Sequence, residues 1–157
     1  MTHLTVAGPL GPLTLFERDG RLVAVEWGWS PAEGDSPLLR TAETQLAAYF
    51  DGELQTFDLP LAPAATPFQA ALRTALLAIP YGQATTYQAL ARALKSSPRA
   101  VGQACARNPL PIVVPCHRVL TTAGDLGGYS GGGGLAGKRA LLTLEGYLPA
   151  QVGTLEG

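Results

Sequence analysis

The sequence predicts an α/β N-terminal lobe followed by a mostly helical C-terminal lobe that contains a helix-turn-helix. Three observations carry this. Short apolar stretches broken by Gly-Pro and Asp-Gly pairs fill the first third of the chain, a Pro-rich segment follows, and apolar residues then recur at helical spacing almost to the end. With 157 residues, 46% of them apolar and 15% charged, the chain is long enough to bury a substantial core and carries too little charge to be disordered. One compact unit with two lobes, 1–64 and 65–157, is expected.

In the first lobe, Leu4 to Val6, Leu13 to Phe16 and Leu22 to Trp27 read as strands, with Asp19-Gly20 as a hairpin turn. Ser36-Pro37 supplies a helix cap and a first-turn proline. Leu38, Ala42, Leu46, Tyr49 and Phe50 then form one apolar face that stops at Asp51-Gly52. Phe57, Leu59 and Leu61 alternate as a last strand, and the three prolines of LPLAPAATP mark the linker.

In the second lobe, Phe68, Leu72, Ala75, Leu76 and Ile79 line one helix, ended by Pro80-Tyr81-Gly82. Thr85-Thr86-Tyr87-Gln88 has the form of a capping box before Leu90, Ala91 and Leu94. After a tight turn, Ser97-Pro98 caps a third helix with Val101, Ala104 and Cys105 inward, closed by Asn108-Pro109. Two short helices joined by a brief polar turn have the sequence form of a helix-turn-helix, whose second helix can enter a DNA groove. A last helix runs from about Leu135 to Glu145, with Gly146 closing it.

The net charge of −1 conceals an asymmetry. Residues 1–62 hold three basic side chains (Arg18, Arg21, Arg40) against nine acidic ones, whereas residues 63–157 hold eight basic against three acidic. Only the second lobe is suited to approach a polyanion. The N-terminus has no basic stretch leading into an apolar one, and no apolar run is long enough for a membrane span, so a soluble, cytoplasmic protein is expected. Cys105 and Cys116 are the only cysteines and His3 and His117 the only histidines, in no zinc-binding spacing; free thiols and no metal are expected.

The densest chemical signal is Asn108-Pro-Leu-Pro-Ile-Val-Val-Pro-Cys116-His117-Arg118, in which three prolines should hold the chain extended and place a thiol at the end of an apolar run. A thiol attacks as thiolate, so it needs a base or a positive field beside it, and His117 and Arg118 can supply these. A buried structural cysteine beside a surface histidine is the commoner meaning of such a pair. Glu145, at the helix end where the dipole disfavours an anion, is a candidate to orient His117, and Arg99 has the corresponding wrong sign in the first turn of its helix. That arginine is either solvated or directed at phosphates and a duplex. From Gly127 to Gly137 seven of eleven residues are glycine, so backbone can approach a planar ligand closely while Tyr129 and Ser130 offer a stacking surface and a hydroxyl. It lacks the spacing of a dinucleotide fingerprint.

The segments IPYGQATTYQALA, RAVGQACARNPLPIVVPCHRVL, GYSGG and LEG, in this order, resemble the O6-alkylguanine-DNA alkyltransferases. The resemblance implies a ribonuclease-H-like N-terminal lobe and a winged-helix-like C-terminal lobe acting on double-stranded DNA that carries O6-alkylguanine. It implies that Cys116 accepts the alkyl group, that His117 draws off the thiol proton through a water with Glu145 behind it, and that Asn108 organises the turn around the site. Tyr87 would give a proton to the leaving guanine and Arg99 would fill the gap left by the flipped nucleotide. Tyr129, Ser130, Gly131 and Arg118 fall among its DNA and substrate contacts. O4-alkylthymine is a second conceivable substrate. No cofactor and no structural zinc are implied, and a monomer is expected. This sequence has four glycines before Leu135 where the family has two, which lengthens the pocket loop. A lesion-flagging relative without the acceptor cysteine is disfavoured by Cys116, and a cysteine hydrolase by the unusual adjacency of thiol and histidine and the want of an oxyanion hole.

Overall fold

The structure, a computed structural model, describes residues 1–31, 34–127 and 134–147. Two compact units divide the chain: Met1–Pro63 together with Pro109–Val113, and Ala64–Asn108 together with the described residues from Val114 onward.

The first unit is an antiparallel meander, β1 (Thr2–Val6), β2 (Leu13–Arg18) and β3 (Arg21–Trp27), with helix α1 (Pro37–Phe50) packed on it. Asp19 and Gly20 join β2 to β3 with φ of 53° and 76°, the doubly left-handed geometry that a two-residue hairpin needs and that Asp-Gly tolerates. Leu13, Leu15, Leu22 and Val25 are buried from the sheet and Leu39, Ala42, Leu46 and Tyr49 from α1. Leu39 rather than Leu38 therefore begins the inward face, at i, i+3, i+7 and i+10.

The expected last strand is reduced to one parallel bridge, Leu22 to Leu61, held by Leu22 N on Pro60 O (2.8 Å) and Ala62 N on Leu22 O (2.9 Å). Prolines at 60 and 63 have no N–H for a ladder. The Gln45 amide, donating to Asp58 O and accepting from Asp58 N at 2.9 Å each, occupies backbone groups a strand would have used.

The second unit contains α2 (Pro67–Leu77), β4 (Thr85–Thr86), α3 (Tyr87–Ala93), α4 (Pro98–Ala106), a 3₁₀ turn (Cys116–Arg118), β5 (Val119–Leu120) and α5 (Leu135–Leu144). β4 and β5 pair in parallel, and α3 packs on α4. Thr66, Thr86 and Ser97 cap α2, α3 and α4, each hydroxyl accepting from the third backbone N–H beyond it. The cap of α3 is thus Thr86, which bonds Ala89 N, and not Thr85, so Gln88 closes no capping box. Between α3 and α4, Lys95 takes φ 55° at a turn position where glycine is usual. Among the described residues, no helix is long and apolar enough to cross a membrane.

Candidate thiol-transfer site

The segment that delivers Cys116 is not extended. Val113 N bonds Pro111 O (2.9 Å) around Ile112, whose φ of 74° makes this a strained γ-turn for a β-branched residue. Cys116 N bonds Val114 O (2.8 Å) around Pro115 at φ −81° and ψ 67°, an inverse γ-turn. Prolines restrict φ but leave ψ free, so three of them permit tight turns as readily as extension. Asn108, where the chain leaves the second unit, donates from Nδ2 to the carbonyl of Val114, where it returns (3.0 Å). This bond ties the two ends of the segment that precedes the cysteine.

Cys116 is 6% exposed and forms part of the wall of a cavity of about 690 Å³. Tyr87, Arg99, Gly102, Cys105, Thr121 and Gly127 contribute to the same wall. Burial pushes the Cys116 thiol up, while a hydrogen bond with Asn108 and the charge of Lys138 pull it the other way. Burial likewise pushes Cys105 and Tyr87 up to about 12 each. Both cysteines are free and buried. Gly127 has φ +70°, and a Cβ there would meet the Tyr87 ring at 3.1 Å and Thr121 at 3.2 Å, so only glycine fits. Arg99 is exposed in the first turn of α4.

Behind the cysteine lies a fully enclosed ionic group. His117 Nε2 is 2.7 Å from Glu145 Oε2, with both side chains wholly buried. Arg118 donates from Nε to Glu145 Oε1 (2.8 Å), from Nη2 to Oε2 (3.0 Å) and from Nη1 to the Ile79 carbonyl (2.7 Å). Glu145 is the C-cap of α5, where the helix dipole opposes an anion; two cationic or donor partners offset that cost. His117 Nδ1 is buried and has no partner among the described residues. Burial lowers the His117 pKa and Glu145 opposes the change, so the ring is held toward its neutral form.

Of the residues singled out from sequence, Cys116, Tyr87 and Arg99 meet at one cavity, His117 and Glu145 bond one another, and Asn108 bonds the backbone two residues before the cysteine. Arg118, grouped above with the substrate contacts, is buried on Glu145 and is not among the lining residues. Tyr129, Ser130 and Gly131 lie outside the described residues. Sequence reasoning missed Lys138, which is 0% exposed. The signal was present: Lys138 precedes the buried Leu141 and Leu142 by three and four residues, the spacing of an inward face.

A buried free cysteine at a cavity wall, followed in the chain by a histidine that bonds a buried glutamate, is a site suited to thiol chemistry. Residues 1–63 match the ribonuclease-like domain of 6-O-methylguanine DNA methyltransferase, and residues 67–147 match its DNA binding domain. The methylated-DNA–protein-cysteine methyltransferase of Methanosarcina acetivorans is 40% identical over 93% of this chain and 99% of its own. That of Mycobacterium tuberculosis is 41% identical over 91% of each. A crystal structure of Mycobacterium tuberculosis OGT in complex with DNA superposes with a TM-score of 0.82 at 40% identity, covering 92% of both chains. The chain belongs to the 6-O-methylguanine DNA methyltransferase family, with an N-terminal ribonuclease-like α/β domain and a C-terminal DNA-binding domain.

Proposed function

We propose that this protein repairs DNA by moving the alkyl group of O6-alkylguanine onto Cys116 Sγ, once per molecule. The observation that carries the reading is the position of Cys116: at the wall of a cavity large enough for a nucleobase, with His117, which bonds the buried Glu145, next in the chain.

A carboxylate only accepts hydrogen bonds, so Glu145 places the His117 hydrogen on Nε2 and leaves Nδ1 as a basic lone pair. That lone pair takes the thiol proton, through one water, and opposes the burial that would otherwise keep the thiol neutral. The sulfur attacks the alkyl carbon, the bond from that carbon to O6 breaks with its electron pair left on the base, and the Tyr87 phenol gives its proton to the guanine. The product is a thioether, which has no route back to a thiol. One turnover is the consequence.

An O6 carbon inside a duplex is out of reach of a fixed sulfur, so the nucleotide must be rotated out, at a cost of about a few kcal/mol. Arg99 fills the gap, a role supported by its exposure at the start of the second helix of the helix-turn-helix and its part in the cavity wall. The α2–α4 region with the β4–β5 pair acts as a winged-helix-like reader of duplex DNA, and the first unit has a ribonuclease-H-like arrangement. The working form is a cytoplasmic monomer, since stoichiometric transfer needs one site and access to DNA.

Intact-mass measurement after mixing with a duplex bearing O6-methylguanine tests the reading. The protein gains one methylene unit at Cys116, the gain persists in Cys105→Ala and disappears in Cys116→Ser. Repair of more than one O6-methylguanine per protein molecule would instead indicate a hydrolase.

A further inference from the structure

Lys138 is a charged side chain for which the chemistry above has no use, yet it is completely enclosed. Burying an ammonium is costly unless its donors are satisfied, and a leucine would suit the inward face of α5 better. Its Nζ donates to the carbonyls of Val119 and Leu126 and, at 3.4 Å, to the phenol oxygen of Tyr87. The same nitrogen lies 5.5 Å from the centre of the Tyr87 ring. Two backbone carbonyls thus aim the cation at one side chain of the cavity wall. Because the phenol oxygen accepts from Nζ, its own hydrogen is turned toward a different partner, and Tyr87 shares that wall with Cys116.

We infer that Lys138 is a positioning residue for alkyl transfer: by donating to the Tyr87 oxygen it orients the phenol hydrogen for the departing guanine, and it replaces the proton the phenol gives up. The inference rests on Tyr87 being the donor to guanine. As the carbon–O6 bond breaks, the phenol proton passes to the base and one ammonium proton passes to the phenol oxygen. The chain is left with an alkylated sulfur, a neutral Lys138 amine and the former thiol proton on His117, so total charge is unchanged. The second transfer runs downhill, since burial brings the ammonium down to about 8 while the phenol stands at about 12. Tyr87, Cys105, Cys116 and His117 are titratable groups that interact with Lys138.

The test compares two alkylations of the same sulfur. Iodoacetamide expels iodide, which needs no proton, whereas O6-methylguanine in a duplex expels guanine, which does. Both respond to thiolate formation, so the ratio of their single-turnover rates, taken at saturating duplex, isolates the leaving-group proton. In the wild-type protein the ratio is expected to be level below pH 8 and to fall above it, by up to about ten-fold per pH unit. Lys138→Gln lowers the ratio by about 10- to 100-fold and makes it level with pH. On a Tyr87→Phe background Lys138→Gln lowers it no further. A level wild-type ratio from pH 7 to 9.5 overturns the inference without any variant having to fold, and equal slowing of both reactions by Lys138→Gln overturns it as a merely structural effect. Failure of the wild-type protein to take up any methyl group would remove the proposed function itself.

Discussion

Arg118 and Glu145 meet at two points, Nε on Oε1 at 2.8 Å and Nη2 on Oε2 at 3.0 Å, inside the protein and with His117 on the second of those oxygens. The guanidinium hydrogen bonds replace the water that burial takes from the carboxylate, and the same carboxylate orients the histidine. Arg118→Leu leaves that charge buried and half-paired, and should cost about 3–5 kcal/mol of stability. The change is read as a fall in the urea midpoint at constant m-value. A midpoint within error of wild type would mean that the pair contributes nothing.

His117→Ala and Glu145→Gln act on chemistry more than on binding. Loss of the base should slow methyl transfer from a duplex by about 10²- to 10⁴-fold, with affinity for unmodified duplex preserved. Single-turnover rates with and without saturating DNA separate the two. Equal loss of affinity and rate would place the pair in DNA binding.

Arg99 has the wrong charge for the first turn of α4 and is exposed at the cavity rim, which makes sense if it meets a duplex. Arg99→Ala should slow repair of duplex O6-methylguanine far more than reaction with free O6-benzylguanine, which needs no flipping. Stability should change by no more than about 0.5 kcal/mol. Identical rate ratios for the two substrates would show that Arg99 fills no gap in the duplex.

Cys105 gives a signature in stability against pH. Its thiol is raised from 9.0 to about 12, with burial as the main cause. Above pH 9 the unfolded chain releases this proton and the folded one retains it, so the contribution is complete below pH 9 and lost between 9 and about 12. Tyr87, raised from 10.0, has the same sign; Lys138, lowered from 10.5 to about 8, has the opposite one over that interval. Cys105→Ala should therefore flatten the decline in urea midpoint from pH 9 to 10.5. Parallel declines in variant and wild type would show that this thiol ionises equally in both states.

The amino-acid sequence by itself determined the elements whose cause is local. Asp19-Gly20 specifies a hairpin through two positive φ angles, Ser36 and Ser97 start helices with their own hydroxyls, and Leu72, Leu76 and Ile79 mark an inward face by spacing alone. The thiol and its neighbours in Asn108 to Arg118 were legible too, because the residue types carry the chemistry wherever the chain places them. Tertiary structure decided what each charge faces. Arg118 stands two residues from Cys116 in sequence, but its guanidinium is held by Glu145 and Ile79, far along the chain in both directions. Lys138 has the spacing of an inward-facing residue, but only the tertiary structure brings the carbonyls of Val119 and Leu126 over its charge. A buried charge is tolerated only where distant partners replace its water, and those partners are assembled by packing, which periodicity does not encode. The same reason governs the missing strand at Phe57 to Leu61 and the two turns before Cys116. Alternation and proline content limit the backbone, but the partners available for its hydrogen bonds choose among the conformations that remain.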